Sequence, residues 1–446
     1  MRTFGLRRIA VAALATVGLA TSMAATPEPA RAVSAGFDHT IYWNNVLLKA
    51  YRQAGGPPTT LSRAGAMMHL AMYDTKVSLG GQGKPYLATV PKQPTYSYDL
   101  DMNLDEAAYD VLKVVFPTID FTQDYNNSRS IPPRGEPGPD GWSVSVGQTA
   151  AQNMLNARAS DGSTNSTPYS ISYTAGQWQP TGSGSAASPN WGLVQPFGLT
   201  SGSQFRPSLP GGFTTITGML TSSTYANQVN DVKRYGSATA TTADRTADQT
   251  QLAWFWANDL DGTYKPPGQL YTLTQIIAKA RTGTDTTRLF ALVSLAMADA
   301  AIAAWDAKYQ TSIDLWRPET AIHEPQSDNN TATVPDPNWQ PLSADRSGVH
   351  FSPPFPAYVS GHATFAGAWA GIVKRFYGTD AISFTATTED PHASGVTRSF
   401  SSVSAAATED ANSRLYLGVH YQWDADQGLA TGDSVANYLF TKYYVN

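Results

Sequence analysis

Three short segments in the C-terminal half hold the residues best suited to chemistry. The first, Trp305-Asp-Ala-Lys308 through Arg317-Pro318, closes a helical window too apolar to be a solvated face, so its two cations need another reason to be there. The second runs from Phe351 through Phe355 to Ser360-Gly361-His362, a Pro-rich stretch ending where a helix begins. Free N–H groups and the positive dipole end make such a helix start an anion site. The third, Ser413-Arg414 through His420 to Asp424, spaces a histidine and a carboxylate four apart. On a helix that is one turn, and the carboxylate can fix the imidazole tautomer.

Each segment alone has an ordinary structural reading. Arg-Pro is a common dipeptide, Ser-Gly-His caps helices, and His and Asp four apart often pair on a helix face. All three in order between residues 305 and 424 combine Lys308, Arg317 and Arg414 with the Ser360 hydroxyl, the Gly361 backbone and two histidines. That inventory suits a tetrahedral oxyanion of high negative charge, its oxygens held by guanidinium forks. One histidine would attack or ligate the central atom while the other moves protons. The anion would be phosphate in a phosphoryl transfer, or a vanadate ion that resembles its transition state.

The elements that must position these groups read as helices. Apolar periodicity predicts helices over 40–54, 60–78, 105–116, 142–159, 245–260, 269–281, 285–310, 363–377, 404–421 and 425–444. No set of alternating strands competes with them. The fold class expected is all-α, a large helical bundle forming a single domain over 33–446. The stretch from about 160 to 236 is rich in Ser, Thr, Gly and Pro yet holds Trp178, Trp191, Phe197 and Phe205, so it reads as an irregular insert packed over the bundle. Asp299, inside the apolar window 285–310, is expected to pair with a site arginine or lysine, because a lone buried charge is costly. His69 is expected to be a hydrogen-bonded core residue, His323 and His350 to line the cleft rim, and His39 and His392 to lie at the surface.

Composition narrows the chemistry. The 446 residues contain no cysteine, which removes disulfides, thiolate metal sites and cysteine nucleophiles. Charged residues make up 15% and aromatics 11%, the profile of a folded chain with an ample core. Arg2, Arg7 and Arg8 precede an apolar run and small-residue cleavage candidates, so residues 1–32 read as a secretory signal peptide and the mature protein as extracellular. Without them 26 basic and 34 acidic residues remain, a net charge of −8 that argues against nucleic acid and anionic membranes as partners. No later stretch reads as a membrane span.

The three segments resemble the signature of the vanadium-dependent haloperoxidase and type 2 phosphatidic acid phosphatase superfamily: Lys-x6-Arg-Pro, Pro-Ser-Gly-His and Ser-Arg-x5-His-x3-Asp. The third motif matches in full. In the second, Val359 replaces the proline. In the first, eight residues rather than six separate Lys308 from Arg317, read as a bulge after the helix end; Gln310 occupies the six-residue register. Trp305 precedes Lys308 by three, as a tryptophan does in the vanadium chloroperoxidases. The helix containing Arg63 through Asp74 looks like the family's early bundle helix.

The resemblance implies a double four-helix bundle and assigns roles. Lys308, Arg317, Ser360, Gly361 and Arg414 would bind the oxyanion. His420 would be the vanadium ligand, or the nucleophile of a phosphatase, oriented by Asp424. His362 would be the acid–base residue, and Trp305 and Phe355 would line a halide pocket. The implied cofactor is vanadate, and the implied reactants are hydrogen peroxide, a halide and a small organic substrate. An acid phosphatase working through a phosphohistidine is the alternative within the fold, and a non-catalytic anion-binding relic the alternative outside enzymes.

Overall fold

The computed structural model describes residues 37–182 and 184–444; the segment read as a signal peptide lies outside them. Among the described residues the helices in chain order are α1 (His39–Ala54), α2 (Pro58–Ser78), α3 (Leu100–Val115), α4 (Thr122–Arg129), α5 (Ser145–Arg158), α6 (Ile216–Leu220), α7 (Ser223–Tyr235), α8 (Ala247–Ala257), α9 (Lys265–Lys279), α10 (Thr286–Tyr309), α11 (Pro318–His323), α12 (Gly361–Tyr377), α13 (Val403–Tyr416) and α14 (Gln422–Tyr443).

Local chemistry sets the starts of several. Asp38, Asp99 and Asp285 accept first-turn N–H bonds at the heads of α1, α3 and α10, and Thr246 with Gln249 forms a capping box on α8. The centre of the molecule is α10, buried from Thr287 to Tyr309. On one side it meets α2, which packs with α3 and α5; on the other it meets α12 and α14, which pack with α13. This is the expected helical architecture of two bundles, sharing α10 at their junction. By length and composition α10 could cross a membrane, which the sequence reading had not anticipated, but its apolar stretch is wholly buried inside the protein.

Close packing of α12 on α14 brings two of the motifs together. A Cβ on Gly428 would stand 2.8 Å from the Ala363 Cβ and 2.9 Å from the Ser360 carbonyl oxygen, and one on Gly432 would fall on the Thr364 carbonyl. Glycine at both positions lets the helices meet backbone to backbone.

The structure corrects the reading at several points. A small antiparallel hairpin, β1 (Phe384–Thr387) with β2 (Thr397–Phe400), pairs Phe384 with Phe400 where no strand was expected. The insert is irregular only in its first part; α6 and α7 both lie in it, each started by a Thr or Ser cap. Asp299 pairs with no site cation. Its carboxylate accepts the N–H groups of Phe197, Gly198 and Leu199 at 2.6–2.7 Å and ties the insert to α10. His39 is buried rather than superficial, with Nδ1 2.7 Å from Asp105. His69 is buried beside Tyr271 and Phe290, and neither ring nitrogen has a hydrogen-bond partner among the described residues.

Candidate functional site

The site gathers at helix ends. Lys308 stands in the last turn of α10, Arg317 at the N-cap of α11, and Ser360, Gly361 and His362 at the start of α12. Arg414 lies in the last turn of α13 and Asp424 in the first turn of α14.

His420 is not on a helix, contrary to the sequence reading. Gly418, at φ 78° and pressed against Gly236 and Pro341, ends the periodic run. The chain then folds back so that the Arg414 carbonyl accepts the N–H groups of Val419 and His420. The four-residue relation survives by another route, because the first turn of α14 presents Asp424 Oδ2 both to His420 Nδ1 at 2.9 Å and to the Tyr421 N–H at 3.1 Å.

The hydrogen bonds fix the His420 tautomer. Arg317 can only donate, and its Nη1 lies 3.1 Å from His420 Nε2, so Nε2 carries the lone pair and Nδ1–H donates to Asp424. Burial, then the positive charges of Arg317, Lys308 and Arg414, hold the imidazole well below its usual range, hence neutral. Burial pushes Asp424 up to about 7, against the pull of Lys308, the Tyr421 N–H and Arg317.

The cations are buried and partly occupied. Arg317 donates from Nε to Phe355 O at 2.7 Å and from Nη1 to Val419 O at 2.6 Å. Burial lowers it to about 9. Lys308 donates to the carbonyls of Pro356 at 2.6 Å and Ala357 at 3.1 Å, which commits two of its three donors. Gln310 takes no part, since its amide donates to Pro189 O. The extra residues after α10 instead dock on the insert, where the Trp178 N–H donates to Asp314 O and the Trp316 N–H to Gly176 O. Arg414 Nη2 donates to Asp259 Oδ2 at 2.8 Å.

Three guanidinium nitrogens, Arg317 Nη2 and Arg414 Nε and Nη1, are buried with no partner among the described residues. Buried donors are normally satisfied, so this set fits a multivalent oxyanion ligand. Ser360 Oγ caps α12 by accepting the Ala363 N–H at 3.4 Å, which leaves its hydroxyl proton to donate elsewhere.

A cavity of about 400 Å³ opens over this cluster, its polar wall including Ser185, Ser188, Asp259, Asp261, Lys265, Gly361, His362, Arg414 and His420. Pro57, Pro58, Trp305, Phe351, Phe355 and Phe365 belong to its apolar wall. The Trp305 and Phe355 rings lie 5.1 Å apart. Phe355 faces two cations, with Lys308 Nζ 5.0 Å and the Arg317 guanidinium carbon 4.7 Å from its centroid. The Trp305 indole N–H donates to Ala187 O at 3.1 Å, so the tryptophan offers the cavity its ring face and edge rather than its donor.

His362 Nε2 donates to the Ala257 carbonyl at 3.0 Å, leaving the lone pair on Nδ1. Burial, then Arg414, lowers this imidazole to about 4.

Asp259 is a residue of the cavity wall that sequence reasoning missed. Besides Arg414, its carboxylate lies 3.8 Å from His362 Nε2. Against the upward push of burial, Arg414, His362 and Lys265 hold it below the usual range. The expected helix 245–260 swallowed it, whereas Asn258 in a left-handed conformation ends α8 at Ala257 and turns Asp259 into the cavity wall. Asn preceding Asp was the one available signal. His350 lines a neighbouring cavity of about 330 Å³ rather than this one, and His323 Nε2 donates to Trp339 O. His392 is exposed, as expected, and stacks on Trp254.

Comparison with known proteins agrees with this geometry. Residues 288–445 match the family model described as the VCPO second helical-bundle domain. The vanadium chloroperoxidase of Curvularia inaequalis is 30% identical over 241 residues, 43% of this chain but only 38% of that protein's length. The first bacterial vanadium-dependent iodoperoxidase structure superposes with a TM-score of 0.74 at 23% identity, covering 91% of this chain and 96% of that one. A holo-type bacterial vanadium-dependent chloroperoxidase superposes at 0.63 and 17% identity, covering 86% and 91%. The domain matched by the family model, residues 288–445, carries all three motifs, and the similarity of fold to the vanadium-dependent haloperoxidase structures extends over most of the chain.

Proposed function

We propose that this chain is an exported vanadium-dependent haloperoxidase that oxidises a halide with hydrogen peroxide, residues 1–32 serving as its signal peptide and residues 33–446 as one catalytic domain. The observation that carries the reading is the set of unpartnered buried guanidinium donors on Arg317 and Arg414 beside a neutral His420 whose Nε2 holds a lone pair. Vanadate, when bound, supplies a Lewis-acid centre that activates peroxide toward halide without itself changing oxidation state.

The protein's own contribution is positioning and charge. Arg317 and Arg414 would hold the oxyanion through guanidinium N–H groups in a buried setting where each bond counts for more than in water. The Ser360 hydroxyl and the Gly361 N–H at the head of α12 would add donors, and Lys308 its remaining one. His420 would ligate through Nε2, with Asp424 keeping Nδ1 protonated and the ring oriented. His362, at the cavity face with its Nδ1 lone pair, would take and return a proton. Trp305 and Phe355 would provide the apolar wall beside which the halide reacts.

The test uses the purified protein. Preloaded with orthovanadate and given peroxide and bromide, it should halogenate a phenolic dye, and His420→Ala should abolish this. Hydrolysis of an aryl phosphate, inhibited by vanadate and without any halogenation, would replace this reading with the phosphatase. Neither activity across a broad pH range would leave an anion-binding relic.

A further inference from the structure

One cation of the cavity wall belongs to none of the three motifs. Lys265 opens α9 with a side chain only 8% exposed. Its φ is 60°, a left-handed backbone that lysine rarely adopts, and it precedes Pro266-Pro267, which favour an extended residue there. Backbone held against its preferences clusters where a side chain must be aimed at a ligand. Lys265 Nζ donates to the Asp259 carbonyl at 2.6 Å and pairs with Asp261 at 2.7 Å. The Asp261 carboxylate is 76% exposed, so water competes for it and the pair is weak. An ammonium has three donors, and these two contacts leave one.

We propose that Lys265 anchors the head group of an organic substrate: the cavity takes a flat aromatic monoanion, a carboxylate or phenolate, with its ring against Pro57, Pro266, Phe351 and Phe365 and its charge at Lys265. This names a substrate class for the site described above and rests on the haloperoxidase reading only for what later happens to the ring.

Size and charge select this class. A cavity of about 400 Å³ is in the range that holds a small organic molecule, whereas a halide ion is comparable to a water, whose share of volume is about 30 Å³. An oxyanion of several charges is better served by the paired guanidinium groups of Arg317 and Arg414. Lys265 shares its stretch of the wall with the carboxylates of Asp259 and Asp261 and faces proline and aromatic side chains, so its one uncommitted donor matches one charge on an apolar body.

Calorimetry with 2-naphthoate on the full chain tests the proposal without relying on catalysis. Lys265→Met should weaken binding about tenfold, the size of one charge-assisted hydrogen bond, and Lys265→Arg should restore most of it. The neutral 2-naphthylmethanol should bind both variants alike, and saturating inorganic phosphate should not displace naphthoate. Equal naphthoate affinity in wild type and Lys265→Met, or no binding to the wild type, overturns the proposal. So does displacement by phosphate, which would put the carboxylate at the arginines.

Should Lys265→Met fail to fold, Asp261→Asn decides. Freeing the lysine from its exposed partner should tighten naphthoate binding by about threefold, and an unchanged or weakened affinity counts against the proposal. Lys265-dependent binding in a protein that halogenates nothing would support this subsite while overturning the haloperoxidase reading.

Discussion

A tetrahedral oxyanion should stabilise this protein, and Arg414 should decide by how much. Its Nε and Nη1 are buried without partners while Nη2 is held by Asp259. Arg414→Met therefore deletes the two donor nitrogens free to meet an anion. Hydrogen bonds to charged groups contribute about 1.5–3 kcal/mol each, so the variant should lose roughly 3 kcal/mol or more of anion binding, a factor above about 100 in Kd. Arg414→Lys keeps a charge but not the planar fork, and should fall between the two.

The assay is thermal unfolding with and without orthovanadate or phosphate, with Kd from calorimetry. Anion at about 100 times the wild-type Kd stabilises the folded state by about 2.7 kcal/mol. Taking an unfolding entropy of about 2.1 cal/mol/K per residue over about 400 residues, Tm should rise by about 3 °C. Under the same conditions Arg414→Met should show a rise too small to resolve. The ligand-free Tm is not the discriminating quantity, because the substitution removes both a charge from a cluster of buried cations and the partner of Asp259. An equal anion-induced shift in wild type and Arg414→Met would mean that the anion binds elsewhere, and the reasoning from unpartnered donors would fail.

Three further outcomes are expected. Asp259→Asn removes a negative charge that raises the His362 pKa from below the opposing push of burial and Arg414; the His362 ring resonances, followed by NMR, should titrate at lower pH than the wild type's value of about 4, and an unmoved midpoint would contradict the 3.8 Å relation. His69 is lowered to about 3 by burial alone, so between pH 6.5 and 3 the unfolded chain binds a proton that the folded protein refuses, and stability falls as pH drops through that window; His69→Phe should lose about 2 kcal/mol less than wild type between pH 6.5 and 4.5, measured by urea unfolding at each pH. Gly432→Ala places a methyl against the α12 backbone and should cost about 1–3 kcal/mol together with anion affinity, whereas Gly378→Ala, at a left-handed cap with nothing near, should cost about 1 kcal/mol and leave affinity intact.

The long helices were legible because burial imposes a period on them: α2, α10, α12 and α14 begin within three residues of their expected starts. What escaped has identifiable causes. α7 reads as polar insert because it buries only Tyr225, Ala226, Val229 and Val232. The hairpin is too short to show an alternating run of any length. His420 was drawn into a helix although Gly418, left-handed at φ 78°, is itself a local stop, and its contacts with Gly236 and Pro341, distant in sequence, hold the break in place. Asp299 was expected to meet a cation, yet three N–H groups of the insert satisfy it equally well, and no local pattern distinguishes the two. Lys308, Arg317, His362, Arg414, His420 and Asp424 were recognisable by type and spacing. Asp259 and Lys265 were not, because their place in the wall depends on where α8 stops.

The position of the cluster at helix ends follows from what buried cations require. Within a helix nearly every carbonyl is engaged by the N–H four residues on, so a cation deep in a helical bundle finds few acceptors. Arg317 and Lys308 are held, with part of their donors, by the carbonyls of Phe355, Pro356, Ala357 and Val419. All four belong to non-helical chain, the Pro-rich run before α12 and the turn between α13 and α14. The prolines at 353, 354 and 356 keep that run from becoming helical, and Gly418 does the same for the turn. Those breaks therefore supply the acceptors that let the cations be buried, while the helix starts they precede supply Ser360, Gly361 and Asp424. A variant that extended α13 through Gly418 would withdraw the Val419 carbonyl from Arg317 and move His420 off Asp424 together, so both sides of the site depend on one interruption of helix.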